Sequence, residues 1–242
     1  MAYTNKDLVE YAKKCLALGN DSIYLYGSFG NTLTNAFITQ KAKQYVYNIK
    51  RQTIYKNCLK SSGTEYAFDC VGLIKSYIWG GYGKVKYNSK QDVSANSMYN
   101  KAKVKGDISK IPEVPGVLVW MSGHIGIYIG NGYVIECTPA TKFAKQNHKG
   151  GGVCKTKLSD RKWKKWCECP FITYTKATVK YYKKCSSKET SIVDALKSIG
   201  VNSSFSYRSK IAKANGIKAY VGLPSQNVKM LNLLKQGKLI KL

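Results

Sequence analysis

Three short apolar runs between residues 116 and 137 constrain the fold of this chain more than any other feature. The runs are residues 116–121, 124–129 and 133–137. Isoleucine occupies every second position after His124 in the middle run, as is typical of a strand with one buried face. The sequence therefore predicts an antiparallel meander, with His124 on the face opposite the isoleucines.

Cys70 lies where a loop enters an apolar segment that predicts a helix over about residues 70–79, ended by Gly80 and Gly81. Unpaired amides and the positive end of the helix dipole at such a position favour a thiolate and lower the pKa of a thiol. Cys70 is therefore a candidate nucleophile, and the alternative is a buried structural thiol. The chain has only two histidines, so His124 is the candidate base.

The position of Glu136 depends on the turn after the histidine strand. If residues 130–132 form a three-residue loop, Glu136 pairs with Gly126 on the face of His124 and its carboxylate can reach the imidazole. If only Asn131 and Gly132 form the turn, Glu136 lies on the other face. Both alternatives are compatible with the sequence.

The formal net charge of +27 arises from 40 Lys and Arg residues against 13 acidic ones and is spread along the chain. Such a charge favours a polyanionic partner. Zinc-finger spacing, RNA-binding signatures and basic heptads are absent, so nucleic acid is not the expected partner. Anionic polymers of a bacterial wall fit the same charge, and a merely solubilising surface is the remaining alternative.

An apolar run of about 18 residues is lacking, so no membrane span is expected, and the N-terminal residues have no apolar core of a secretory signal. The eight scattered cysteines are expected to be free thiols. Cys154, Cys167 and Cys169, with His148 or Cys137, are the alternative metal-binding set, although their spacing fits no zinc motif. No metal or cofactor is expected.

The remaining organisation follows from periodicity and composition. Helices are predicted over residues 4–18 and 34–46, and a last apolar strand over residues 171–174. The stretch before Asp69 that contains the second helix shows no recognisable chemistry. A Lys, Ser and Thr-rich linker over residues 176–188 separates a domain of residues 1–175 from a small helical module of residues 189–242.

At 69–74 (Asp-Cys-Val-Gly-Leu-Ile) and 124–130 (His-Ile-Gly-Ile-Tyr-Ile-Gly) the chain resembles the NlpC family of papain-like cell-wall cysteine peptidases, over about residues 5–175. The resemblance implies an α+β fold in which N-terminal helices pack on an antiparallel sheet. It also implies a catalytic set of Cys70, His124 and Glu136. Family members usually carry His, Asn or Gln at the third position, so the carboxylate of Glu136 is a departure, and so is the long stretch before Asp69.

The resemblance also implies roles around the nucleophile. The Tyr24 hydroxyl and the backbone amides at the helix start, with that of Val71, would form the oxyanion pocket. Asp69 would bind a positive group of the substrate or cap the helix. The expected activity is hydrolysis of an amide bond in the peptide stem of peptidoglycan, between D-Glu and the following diamino acid. The rivals are an amidase that cuts between N-acetylmuramic acid and L-Ala, and a non-catalytic basic binder of wall or nucleic acid.

The C-terminal module resembles, more weakly, modules of clostridial and phage wall hydrolases. Together with the missing signal this indicates a phage endolysin, made in the host cytoplasm and released to the wall through a holin. Peptidoglycan and anionic wall polymers are therefore the expected partners.

Overall fold

The computed structural model describes residues 3–60, 62–175 and 180–242. Contacts divide the chain into two compact units, Met1–Thr175 and Lys176–Leu242. Each unit has its own apolar core.

The described residues of the first unit form six α-helices. They are α1 (Asn5–Ala17), α2 (Asn35–Gln44), α3 (Val46–Ile49), α4 (Gln52–Lys56), α5 (Gly72–Ile78) and α6 (Ala95–Lys101). The hydroxyls of Thr4 and Thr34 accept hydrogen bonds from backbone amides in the first turns of α1 and α2 and so cap these helices. The helices predicted over residues 4–18 and 34–46 are thereby confirmed.

Two sheets are formed by the part of the first unit that the structure describes. Strands β1 (Ser22–Tyr24), β2 (Phe29–Thr32) and β3 (Tyr66–Phe68) form a small sheet in the order β1-β3-β2, with β1 parallel to β3. The larger sheet is antiparallel and has the order β4-β9-β5-β6-β7-β8. Its strands are β4 (Lys105–Asp107), β5 (Leu118–Met121), β6 (His124–Gly130), β7 (Tyr133–Thr138), β8 (Gly152–Lys157) and β9 (Lys165–Cys167).

The main core lies between α1, α5 and one face of the large sheet. Leu8 and Ala12 of α1 and Leu73 of α5 pack with Ile125 and Ile127 of β6. The opposite face of the sheet buries a second cluster, which includes Tyr128, Val134 and Trp163. This arrangement confirms the mixed α+β class and the predicted meander of β5, β6 and β7.

Two sequence predictions differ from the structure. Residues 171–174 do not form a strand of the sheet: apart from one bridge between Thr173 and Thr4, they run outside it, and β9 ends at Cys167. Residues 180–185, predicted as linker, belong to the second unit, where Tyr182 is buried and donates its amide to the carbonyl of Leu239. Residues 176–179 of the predicted linker lie outside the described residues.

The second unit consists of α7 (Ile192–Ser198), α8 (Phe205–Ala214) and α9 (Pro224–Lys235). Apolar side chains from all three helices form its core, together with Tyr182, Ile217 and Leu239. Gly200 and Gly216 follow α7 and α8 with positive φ angles, as is common where helices end. Nowhere in the described parts of either unit is there a helix both long and apolar enough to cross a bilayer.

Candidate active site

Cys70 is held between the end of β3 and the start of α5. The amide of Asp69 donates to the carbonyl of Ser28, and the chain then turns so closely over this carbonyl that a Cβ on Gly72 would lie 1.9 Å from its oxygen. Only glycine fits at this position. The close approach presents Cys70 two residues before the first residue of α5, with 7 % of its surface exposed.

The environment of Cys70 favours the thiol. Burial raises its pKa to about 12, the charge of Asp69 adds to this, and the amides of Ile125 and Val71 oppose it. The predicted lowering of the pKa by the helix start is therefore wrong for this state of the protein. The physical reason is that Cys70 precedes a short helix and is almost fully desolvated beside a carboxylate, which outweighs the few amides that face it.

His124 begins β6 immediately beside the thiol. Sγ of Cys70 lies 3.9 Å from the carbonyl oxygen of Gly123, and the amide of Ile125 faces the same sulfur. Cys70 thus contacts the backbone on both sides of His124. Among the described residues no hydrogen bond joins Sγ to the imidazole, whose Nε2 is directed to Glu136 instead. Nδ1 has no hydrogen-bond partner in the described part of the chain.

Glu136 lies beside His124 because of a β-bulge. Asn131 and Gly132 have positive φ angles and form a two-residue turn, with Gly130 paired to Tyr133. A register shift between Tyr128 and Gly130 then adds one residue to β6, so that Ile127 pairs with Ile135.

The structure therefore combines the two alternatives of the sequence analysis. The turn has two residues, and the bulge gives the strands the register expected for the three-residue loop. Glu136 Oε2 consequently lies 2.5 Å from Nε2 of His124. A Cβ at Gly126 would come within 2.6 Å of Val134 and 3.4 Å of Cβ of Glu136, so glycine leaves room beside Glu136.

Glu136 is fully buried and has three polar partners. The Thr156 hydroxyl donates to Oε1 at 2.8 Å, while Nη2 of Arg161 lies 3.3 Å from Oε2, the oxygen that also faces the imidazole. The His124 ring stacks on Trp163 with centroids 5.4 Å apart. The guanidinium offsets the negative charge of Glu136, so the imidazole faces a hydrogen-bond acceptor whose charge is already paired.

Asp69 caps α5 and ties it to the loop after β1. Its Oδ1 accepts from the amide of Gly72 at 2.5 Å and its Oδ2 accepts from the amide of Gly27 at 2.8 Å. Burial raises the pKa of this carboxyl, and Lys75 and the amides oppose the change. Of the two roles expected for Asp69, the contacts display the cap, and recognition of a positive group stays a prediction.

Tyr24 and Val71 flank the nucleophile. Tyr24 pairs with Phe68 across β1 and β3 and is buried, and burial, together with the nearby charges of Cys70 and Asp69, raises its pKa well above the usual range. Its hydroxyl therefore keeps its proton, and no hydrogen bond occupies it among the described residues. The Val71 amide faces Sγ of Cys70. Both groups are donors close to the sulfur, as an oxyanion pocket requires.

A cleft of about 700 Å³ opens on Cys70. Asp69, Val71 and Gly123 line it beside the sulfur. Its outer walls contain Tyr26, Tyr45 and the lysines 41 and 75. This cleft is large enough for several residues of a peptide substrate.

The alternative metal-binding set is not brought together. Cys154 is on β8 and Cys167 on β9, which are separated in the sheet by β5, β6 and β7. The part of the chain that the structure describes contains no cluster of three or more potential metal ligands. All eight cysteines are free thiols.

Sequence reasoning missed Arg161, Thr156 and Asn96. Asn96 Oδ1 accepts from the amide of Gly123 and from the Trp120 indole, and so holds the turn before His124. Arginine is rare in this chain, with three residues among the 40 basic ones. In a chain that uses lysine almost everywhere, an arginine marks a position where the guanidinium itself is needed. A guanidinium stacks on aromatic rings and pairs with buried carboxylates better than an ammonium does. Nothing in the sequence marks Thr156 or Asn96.

Comparison with known proteins finds similarity only among solved structures. No protein-family model matches the chain, and no curated protein matches it. The solved structures that match include the P60 domain of an antigen from M. avium subspecies paratuberculosis, which is 16% identical. The match covers 70% of this chain and 98% of that chain, with a TM-score of 0.37. The function of this chain must therefore be argued from the site itself.

Proposed function

We propose that this protein is a cysteine peptidase with a papain-like catalytic domain that hydrolyses an amide bond in the peptide stem of bacterial peptidoglycan. The single observation that carries the proposal is that Cys70, which lines a cleft, contacts the backbone on both sides of a histidine whose Nε2 faces a buried carboxylate. The imidazole of His124 and Glu136 are 2.5 Å apart. A nucleophile, a base and an orienting group in this order are the requirement for nucleophilic catalysis on an acyl group.

The raised pKa of Cys70 determines how the first step proceeds. The thiol carries its proton at rest, so Nδ1 of His124 accepts this proton as Sγ attacks the carbonyl carbon. The carbon–nitrogen bond then breaks, and the imidazolium returns the proton to the leaving amine. Water hydrolyses the resulting thioester in the same way, which regenerates the thiol and releases the carboxylic acid.

The oxyanion formed in the attack needs donors that are already in place. The Val71 amide and the protonated hydroxyl of Tyr24 fill this role in the proposed mechanism. Because both groups are buried beside the sulfur, their hydrogen bonds to a developing negative charge would be strong. Glu136 and Arg161 are positioning residues for the imidazole.

The proposed scissile bond joins D-Glu to the following diamino acid. The second unit is proposed to hold anionic wall polymers, which its lysine-rich helices suit by charge. A phage endolysin, made in the cytoplasm and released to the wall, is the proposed biological setting. The scissile bond rests on the resemblance of the motifs around Cys70 and His124, whereas the role of the second unit and the biological setting rest on the weaker resemblance of the C-terminal module.

Mass spectrometry of fragments released from purified peptidoglycan tests the proposal. The wild type should release fragments that end in D-Glu, whereas Cys70→Ala should release none. Cys185→Ala is the matched control, because it removes a free, partly exposed thiol that belongs to the second unit. Newly freed L-Ala amines would instead establish an amidase. Binding without any fragment that depends on Cys70 would exclude an enzyme of this kind and favour a basic wall binder.

A further inference from the structure

Lys41 of α2 lies almost completely buried in a wall of the catalytic cleft. Only 8 % of its surface is exposed, and it is one of the residues that line the cleft. Its ammonium nitrogen lies 5.6 Å from the ring centroid of Phe29, 5.5 Å from that of Phe37 and 5.9 Å from that of Tyr45. Three aromatic rings therefore surround this cation.

The ammonium of Lys41 has no carboxylate within salt-bridge distance among the described residues. Its one hydrogen bond goes to the neutral side chain of Gln44, at 3.0 Å. Lys75, in the same cleft, is paired with Asp92 at 2.6 Å. Asp69 directs its oxygens to backbone amides instead. The cleft thus contains one paired lysine and one buried lysine without a counter-ion.

An unpaired ammonium is costly to bury, because it loses hydration without gaining an opposite charge. Burial accordingly lowers the pKa of Lys41, the carboxylates of Asp69 and Asp92 raise it, and Lys75 lowers it further. Aromatic rings compensate only part of such a cost. A ligand carboxylate that enters the cleft would supply the missing charge and form a charge-assisted hydrogen bond.

We propose that Lys41 is the carboxylate-recognition residue of the catalytic cleft, and that the enzyme selects stem peptides with a free carboxylate near the scissile amide. The inference rests on the proposed function and narrows its substrate. Two carboxylates of a stem peptide have the required chemistry: the α-carboxylate of a γ-linked D-Glu, which some walls carry as the amide, and the C-terminal carboxylate.

The wall that presents Lys41 belongs to the stretch before Asp69 in which the sequence showed no chemistry. Asn48 anchors this stretch to the loop that carries Tyr26: its side-chain amide donates to the carbonyl of Tyr26 at 2.9 Å and its Oδ1 accepts from the amide of the same residue. Tyr26 and Tyr45 pack edge to face at 4.9 Å. The stretch is therefore fastened to the site and can hold Lys41 at a defined position.

Three synthetic peptides separate the two sources of the carboxylate. One is a stem peptide with both carboxylates free, the second has the α-carboxylate of D-Glu amidated, and the third has the C-terminus amidated. We expect kcat/KM of the wild type to fall by about ten- to a hundredfold for one amidated peptide, as for the loss of one charge-assisted hydrogen bond. Lys41→Met should reduce cleavage of the free peptide to the same level and leave that amidated peptide unchanged.

Two further variants serve as controls for Lys41→Met. Lys43→Met changes the same charge on an exposed position of α2 and should have no effect, whereas Lys41→Arg should retain the preference. Equal cleavage of all three peptides by the wild type, or an equal loss on all three in Lys41→Met, would overturn the inference. If Lys41→Met does not fold, as judged by its thermal unfolding, the preference of the wild type decides alone.

If the proposed function itself is wrong, the wild type cleaves none of the three peptides. Calorimetric titration of the same peptides into Cys70→Ala then tests recognition without turnover. Binding of the free peptide that weakens about tenfold or more with the additional change Lys41→Met would uphold the carboxylate site, and binding independent of Lys41 would refute it.

Discussion

Nη2 of Arg161 lies 3.3 Å from Oε2 of Glu136, and this oxygen also lies 2.5 Å from Nε2 of His124. One carboxylate oxygen is thus shared between a guanidinium and an imidazole, inside a pocket where the glutamate has no exposed surface. The guanidinium is itself held over the ring of Phe143, 4.5 Å from its centroid. Arg161 therefore determines how much negative charge the imidazole experiences.

Arg161→Gln should lower kcat of peptide hydrolysis more than it changes KM. Without the guanidinium, Oε2 of Glu136 loses one of its two partners, so the carboxylate that orients the imidazole is held less firmly. We expect kcat to fall about tenfold, as for the loss of one interaction with a charged group. Arg161→Lys should restore most of this activity, and Lys162→Gln, an exposed neighbour, is the control. An unchanged kcat in Arg161→Gln would contradict the positioning role.

Alkylation by iodoacetamide should report the protonation state of Cys70. Because burial raises its pKa to about 12, the rate should be slow at neutral pH and rise about tenfold per pH unit towards pH 10. Peptide mapping by mass spectrometry measures this rate, with the less buried Cys185 as an internal reference. A rate that is already high and constant near pH 7 would instead indicate a thiolate paired with imidazolium.

Thr156→Val should weaken both the fold and the site. The substitution preserves shape but removes the hydroxyl that donates to Oε1 of Glu136 at 2.8 Å, which leaves a buried carboxylate oxygen without that partner. We expect the free energy of unfolding in urea to fall by about 1–3 kcal/mol. Thr156→Ser keeps the donor and should stay close to the wild type, so equal stability of all three proteins would disprove the contribution of this hydrogen bond.

Asp69→Asn should destabilise the protein by about 1–2 kcal/mol through the weakened cap of α5. The loss should depend on pH with a defined sign. Because the pKa of Asp69 is raised in the folded state, the folded protein disfavours the ionised carboxylate, and the wild type loses stability as pH rises through that pKa. Its advantage over Asp69→Asn should therefore shrink above about pH 4. Urea unfolding at pH 4 and pH 7 compares the two proteins, and an advantage that grows with pH would contradict the raised pKa.

Local patterns were sufficient for much of the fold and for two candidate residues of the site. Apolar periodicity and capping threonines predict α1 and α2, and alternation predicts β5, β6 and β7. The candidates Cys70 and His124 follow from their positions, just before an apolar helix and at the start of a strand. Such inferences succeed because they depend on residues within one or two turns of helix or one strand.

The state of the nucleophile was beyond local reasoning. A cysteine before a helix is expected to have a low pKa, yet burial and the neighbouring Asp69 reverse the direction for Cys70. Desolvation depends on every element packed around the sulfur, including Gly123 and Ile125 from a distant strand. The residues next to Cys70 in the sequence therefore do not reveal how strongly its thiol is desolvated.

The sequence by itself determined α1, α2 and the meander of β5, β6 and β7, the order of Cys70, His124 and Glu136, and the basic character of both units. Only the tertiary structure decided that a bulge in β6 brings Glu136 to the imidazole, that Arg161 pairs with it, and that Lys41 is buried in the cleft. The physical reason is the separation in sequence between the residues that interact. Periodicity and capping act between neighbours in the chain, whereas register shifts, ion pairs and burial are set by residues far apart in sequence that meet only when the chain is folded.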